Sequence, residues 1–157
     1  MRREMTKEEA LVKMAGLCAR SEQCESDIVR KLRAKMLSQI DIAWVIDELK
    51  RGRFLDNGRF AVAYARDKVR FSSWGRLKVR AGLAARRING SIVSEALENI
   101  DAEDYAAALS RTANAKARSV DLSGRDGRVK LYRYLLSRGF EPDLAMAEIR
   151  ELLKSDD

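Results

Sequence analysis

The chain has 157 residues, 46% of them hydrophobic and 35% charged, with one proline and few aromatics, a balance that excludes a disordered chain and suits a folded, nearly all-helical one. Two cysteines and no histidine exclude the usual zinc spacings and a disulfide framework. A formal charge of +7 directs attention to polyanionic partners: nucleic acid, an acidic protein surface or anionic lipid.

The opening segment "MRREMTKEEALVKMAG" is charged and lacks the apolar centre of a signal peptide, and no run approaches the ~18 apolar residues of a membrane span. A cytoplasmic location without a membrane partner is therefore expected. Thr6, with Glu9 three residues on, has the pattern of a helix-opening capping box. Ser21 reads as the cap of a second helix carrying Ile28, Leu32 and Met36 on one face. A third helix places Ile42, Val45, Ile46 and Leu49 on a core-facing stripe.

Residues 52–61, "GRFLDNGRFA", then interrupt the helical pattern and restart it. Gly52 is expected to end the third helix in the left-handed conformation. Phe54 and Leu55 would pack back on that helix, and Asp56 would cap the next, with Asn57 and Gly58 in its first turn. Further starts are read at Asn89, and at Glu141 before Pro142, because proline at a first helical position forfeits no hydrogen bond.

The chain also resembles itself. Aligning residues 27–37, 78–88 and 130–140 puts Ile28, Val79 and Leu131 in one column and Leu32, Leu83 and Leu135 in another, at offsets of 51 and 52 residues. Leu37, Ile88 and Phe140 close each block, and Ile42, Ile92 and Leu144 follow, with one extra residue allowed in the first copy. Three tandem three-helix units result, about nine helices in an all-α, elongated and curved array. Their expected extents are residues 1–55, 56–101 and 102–157. The stretch "SGRDGR" (123–128) reads as a connecting loop, since it lacks the spacing of a nucleotide-binding loop.

Charge is uneven along these units. Lys and Arg outnumber Asp and Glu by 12 to 10 in residues 1–56 and by 9 to 3 in residues 57–100, but trail them by 10 to 11 in residues 101–157. Arg66, Lys68, Arg70, Arg76, Lys78, Arg80, Arg86 and Arg87 lie within 22 positions interrupted by one acid, Asp67, and form the candidate nucleic-acid or filament-binding set. At ~100° per residue, Arg76, Arg80 and Arg87 would fall within ~40° of one another on a helix. Guanidinium forks grip phosphates or carboxylates bidentately. Phe71 and Trp74, flanking a turn, read as packing residues rather than base-stacking ones. Cys18 and Cys24 read as buried packing residues, and no arrangement of acids, lysines or tyrosines suggests catalysis. A binding protein without cofactor, metal or enzymatic activity is expected.

"GRFLDNGRFA" resembles the G-[YF]-L-[DN]-[DE]-x-[RK]-[FY]-A element of the RecX family, bacterial regulators of the RecA recombinase. The flanking order agrees, with "AL" and "RSEQCESDIVRKL" before it and "WGRLKVRAGLAARRI" after, so the likeness runs from residue 10 to about residue 153. It implies tandem three-helix repeats and a monomer that binds RecA filaments on single- or double-stranded DNA, damping recombinase and ATPase activity. Two departures stand out: Arg87 occupies a place where glycine is common, and "SVDLSGRDGR" lengthens the first loop of the third unit. The competing reading is a helix-turn-helix-like DNA-binding protein acting without RecA. The third helices, "DIAWVIDELKR", "GSIVSEALENI" and "PDLAMAEIRELL", are acidic or apolar, which argues against three recognition helices.

Overall fold

The computed structural model describes residues 3–155, which capping residues and apolar stripes divide into nine helices with no strand among them. They are α1 (Lys7–Arg20), α2 (Glu25–Ala34), α3 (Gln39–Arg51), α4 (Asn57–Ser72), α5 (Arg76–Ala85), α6 (Gly90–Glu98), α7 (Ala102–Ala117), α8 (Arg125–Ser137) and α9 (Pro142–Ser155). Thr6, Ser38, Asp56, Asn89 and Asp101 each accept a first-turn amide at 2.9–3.1 Å. Each such cap is worth ~1 kcal/mol.

Several starts and stops differ from expectation. Ser21 closes α1, its amide bonding to the Leu17 carbonyl, and the N-cap of α2 is Cys24. The cap arrives from the next unit instead: Asn57 Oδ1 accepts the Glu25 amide at 2.9 Å. Gly52 keeps a right-handed conformation (φ −80°), and the left-handed residue is Arg53 (φ 60°), because α3 runs one residue further than glycine placement suggests. The Phe54 ring folds over Gly52 while Leu55 enters the core. Four of the six residues of the "SGRDGR" stretch are helical, since α8 begins at Arg125.

The repeat register holds at constant offsets. Ile28, Val79 and Leu131, and likewise Leu32, Leu83 and Leu135, are fully buried. No extra residue is needed afterwards: the buried trio is Ile42, Val93 and Ala145, at the same offsets of 51 and 52, while Ile92 and Leu144 are only partly buried. The same register governs the second helix of each unit at its end. Met36, Arg87 and Gly139 all have positive φ (65°, 57° and 94°), and the following residue bonds back to the buried leucine carbonyl: Leu37 to Leu32, Ile88 to Leu83, Phe140 to Leu135. This is one helix-ending motif used three times. It turns Met36 out of the expected apolar face, leaving it 86% exposed.

Two cores result. One is built by α1–α3 around Ile28, Leu32, Val45 and Leu49. The other is shared by α4–α9, with Cys24 inserted from the first group. The joint between α4–α6 and α7–α9 is a backbone contact, in which the Gly75 and Leu77 amides donate to the Arg138 and Gly139 carbonyls at 2.8 and 2.9 Å. A Cβ on Gly75 would lie 2.2 Å from the Gly139 carbonyl carbon. Gly127 is its equivalent one repeat on, and there a Cβ would lie 1.7 Å from the Asp121 carbonyl oxygen. The lengthened loop of the third unit thus takes, against Gly127, the place that the α8–α9 turn takes against Gly75. The accessible surface, 10094 Å², exceeds the ~8,000 Å² of a compact globule of this mass, as an elongated array requires.

Candidate nucleic-acid interface

The eight basic residues separate into groups with different partners. Arg66 and Arg70 lie ~40° apart on α4, and Lys68 lies ~200° from Arg66, on the other side. Arg66 pairs with Asp67 at 3.2 Å, and Arg70 with Asp104 of α7 at 2.7 Å. The Asp104 contact raises the Arg70 pKa above its ordinary value, so that charge is compensated. Arg76 belongs to the joint described above: its Nη1 donates to Glu141 Oε2 at 2.8 Å, its guanidinium stacks on Tyr105 at 3.8 Å, and the Tyr105 hydroxyl donates to the other Glu141 oxygen. Glu141 opens α9 as expected, its carbonyl accepting the Ala145 amide at 2.9 Å, while its side chain serves this ionic cluster.

Lys68, Lys78 and Arg86 converge on two aromatic rings. Lys68 and Lys78, one from each helix, lie 4.7 and 4.6 Å from the centroid of Trp74. Trp74 packs edge-on against Tyr64 (centroids 6.3 Å apart), and Lys68 is 5.5 Å from the Tyr64 ring. Arg86 also lies over that ring at 4.9 Å, donating to the Gly82 carbonyl (3.0 Å) and reaching Asp27 of the first unit at 3.6 Å. Trp74 and Tyr64 lean on the core, in keeping with the packing role expected of Trp74; Phe71, by contrast, is 81% exposed beside the cluster. Each ammonium–ring contact is worth ~0.5–1 kcal/mol at such exposure, enough to orient a lysine without neutralising it.

The single stripe expected of Arg76, Arg80 and Arg87 does not form. Helix α5 ends at Ala85, and Arg87 sits past its end with φ 57°, so helical angles do not extend to it. Arg80 and Arg87 are both exposed, and neither they nor Lys68 and Lys78 have a carboxylate partner among the described residues. These four carry the uncompensated charge of the middle unit. Arg111 was not singled out in the sequence because it stands in a near-neutral unit; it donates to the Arg70 carbonyl and Ser73 Oγ at 3.3 and 3.1 Å, adding a cation to the end of α4. Tyr64 likewise had only a spacing signal, four residues before Lys68 on one helix face.

No group of three or more His, Cys, Asp or Glu able to hold a metal ion occurs among the described residues, and none of their helices is long and apolar enough to cross a membrane. The thiols of Cys18 and Cys24 are pushed up in pKa, in both cases mainly by burial. What the arrangement offers chemically is fixed positive charge on a semi-rigid aromatic platform, suited to phosphate or carboxylate oxygens.

Residues 56–97 match the family model of the RecX second three-helix domain, and residues 103–147 that of the RecX third three-helix domain. The regulatory protein RecX of Clostridium acetobutylicum is 33% identical over 135 residues, covering 83% of this chain and 60% of that relative. That of Chromohalobacter salexigens is 33% identical over 127 residues, covering 80% of each. The chain spans only 60% and 64% of the C. acetobutylicum and Clostridium tetani relatives. The crystal structure of RecX from Lactobacillus salivarius has the same fold, with a TM-score of 0.79 at 21% identity over 93% of this chain and 96% of that one.

Proposed function

The chain belongs to the RecX family of regulatory proteins, and on that premise we propose that it binds RecA filaments on DNA as a monomer and lowers their recombination and ATP-hydrolysing activity. The observation that carries the site is the uncompensated charge of the middle unit: Lys68 and Lys78 on one indole, with Arg80 and Arg87 exposed in the same unit. A filament on DNA is a long polyanion. An elongated chain lying along it makes several modest contacts whose effects multiply through effective concentration. Such action needs neither cofactor nor catalytic group, and its setting is the cytoplasm, where the DNA is.

The test is single-strand-dependent ATP hydrolysis by the cognate RecA, titrated with the parent protein and with a Lys68→Glu, Lys78→Glu, Arg80→Glu, Arg87→Glu variant. The parent should suppress hydrolysis, and the variant should require roughly tenfold more protein or beyond, because repulsion replaces attraction at four points. Raising salt should weaken the parent steeply and the variant little. Equal suppression by a folded variant would remove the cluster from the interface. DNA retention that is undiminished without RecA, with no effect on RecA hydrolysis, would favour the helix-turn-helix-like reading instead.

A further inference from the structure

Arg125, Arg128, Val129 and Tyr132 follow one another on α8 at the spacing of a single helix face, and Met146, Ile149 and Arg150 do so on α9. The two stripes line a groove of ≈ 380 Å³ whose floor is Val129, Tyr132, Met146 and Ile149 and whose rim is the three arginines. Ile149 is 8% exposed and belongs to the core, whereas Met146 is 47% exposed, so the floor rises from the core into solvent. Among the described residues none of the three arginines has a carboxylate partner.

The repeat itself does not demand this groove. Stepping back 52 residues puts Arg80 at the place of Tyr132, Ser94 at that of Met146 and Glu98 at that of Arg150. A further 51 residues back, Ala43 corresponds to Met146 and Asp47 to Arg150. Leu77, Leu97 and Arg76 already stand at the places of Val129, Ile149 and Arg128, so what distinguishes the third unit is a ring at Tyr132 in place of a cation, an apolar Met146 in place of a small residue, and a cation at Arg150 in place of an acid. Its overall charge is nearly neutral, so the arginine rim is a local feature rather than a share of the general excess. Apolar residues exposed between two helices offer a bed for a third helix, and a cationic rim selects the charge of its flanks.

We propose that the α8–α9 groove docks an amphipathic helical segment of a partner protein, with aliphatic side chains on one face and Asp or Glu on both flanks. This site is separate from the basic cluster of the middle unit and does not depend on the filament reading. A largely aliphatic floor suits leucine-type side chains and offers a nucleic acid only one ring, Tyr132, on which to stack a base.

The probe is a synthetic peptide with leucines at i, i+4 and i+7 and glutamates on the flanks, added to the full chain while the methionine and isoleucine methyl signals are followed by NMR. Saturable shifts confined to Met146 and Ile149 are expected. Binding should weaken roughly tenfold in Arg125→Glu, Arg128→Glu, Arg150→Glu, in line with loss of three exposed ion pairs, and a peptide with lysine flanks should bind that variant in place of the parent. Met146→Glu should abolish binding of the acidic peptide with the far-ultraviolet circular dichroism unchanged. The proposal is overturned if the acidic peptide leaves these methyls unmoved, or if a scrambled peptide of the same composition binds equally well. It is also overturned if a single-stranded oligonucleotide shifts the same signals and competes, or if the signals move with protein concentration alone, which would make the occupant a second copy of the chain.

Discussion

Met36, Arg87 and Gly139 occupy equivalent left-handed positions, and only the last is the residue that does so without strain. Met36→Gly removes a penalty of ~1–2 kcal/mol and restores ~0.5–1 kcal/mol of unfolded-state freedom, for a net gain of about 0.5–1 kcal/mol. Thermal unfolding should move up by roughly 2 °C, and a fall would show that Met36 makes contacts of its own. Arg87→Gly should give a similar rise together with weaker filament binding, separating the two roles of that position. Tyr105 tests the joint by titration. Burial, then its hydrogen bond to Glu141, push its pKa above the ordinary tyrosine value. Unfolded tyrosine ionises near pH ~10, so this stabilisation is complete below that pH and is lost as pH rises towards the folded value. Of the four tyrosines, Tyr105 should ionise only with alkaline unfolding, as read by ultraviolet titration, and in Tyr105→Phe that late ionisation should be missing.

Helix-to-helix joints rather than helix faces explain why several basic residues are where they are. Arg76 and Glu141 keep 31% and 26% of their side-chain exposure, so losing one partner leaves a partly buried charge. Arg76→Ala should cost about 1–2 kcal/mol in urea unfolding, and the exchange Arg76→Glu with Glu141→Arg should recover most of it. No recovery would mean that stacking on Tyr105, not the ion pair, is what matters. A loss of filament binding on reversing Arg76 alone is thus a joint effect. The loop seated on Gly127 is tested by Gly127→Ala, whose methyl meets the Asp121 carbonyl. Overpacking of this kind costs ~1–3 kcal/mol, and amides of residues 119–127 should lose hydrogen-exchange protection ahead of the remainder.

For the whole molecule, the division into one core for α1–α3 and one for α4–α9 governs what can be removed. Residues 56–157 keep their core almost intact, apart from Cys24, and should fold cooperatively as a fragment with helical circular dichroism. Residues 1–101 lose the half of a core that Tyr105, Leu109, Leu131, Leu135 and Phe140 supply, and should be much less stable. Deleting the third unit to ask whether it binds DNA is for this reason a poor experiment; charge reversal on the intact chain is the informative one. The first unit meets the second largely through polar contacts, Arg59 with Glu22 at 3.0 Å and the Ser26 hydroxyl with the Arg86 carbonyl at 2.7 Å, with Cys24 as the apolar plug.

The all-helical plan of three-helix repeats, the caps at Thr6, Asp56 and Asn89, and the buried columns of Ile28 and Leu32 were legible in the sequence, because periodicity and capping act over three or four residues along the chain. The family was legible too, through the motif between the first and second units. Local rules fell short where a partner from another unit decided the outcome: Asn57 of the second unit capping α2 of the first, and Arg76 of the second unit drawing the side chain of Glu141. The basic cluster was visible only as a count. Which of its charges are neutralised depends on Arg70 meeting Asp104, 34 residues on, and Arg76 meeting Glu141, 65 residues on, across helix joints that only the tertiary structure forms, and this is what leaves Lys68 and Lys78 free beside Trp74.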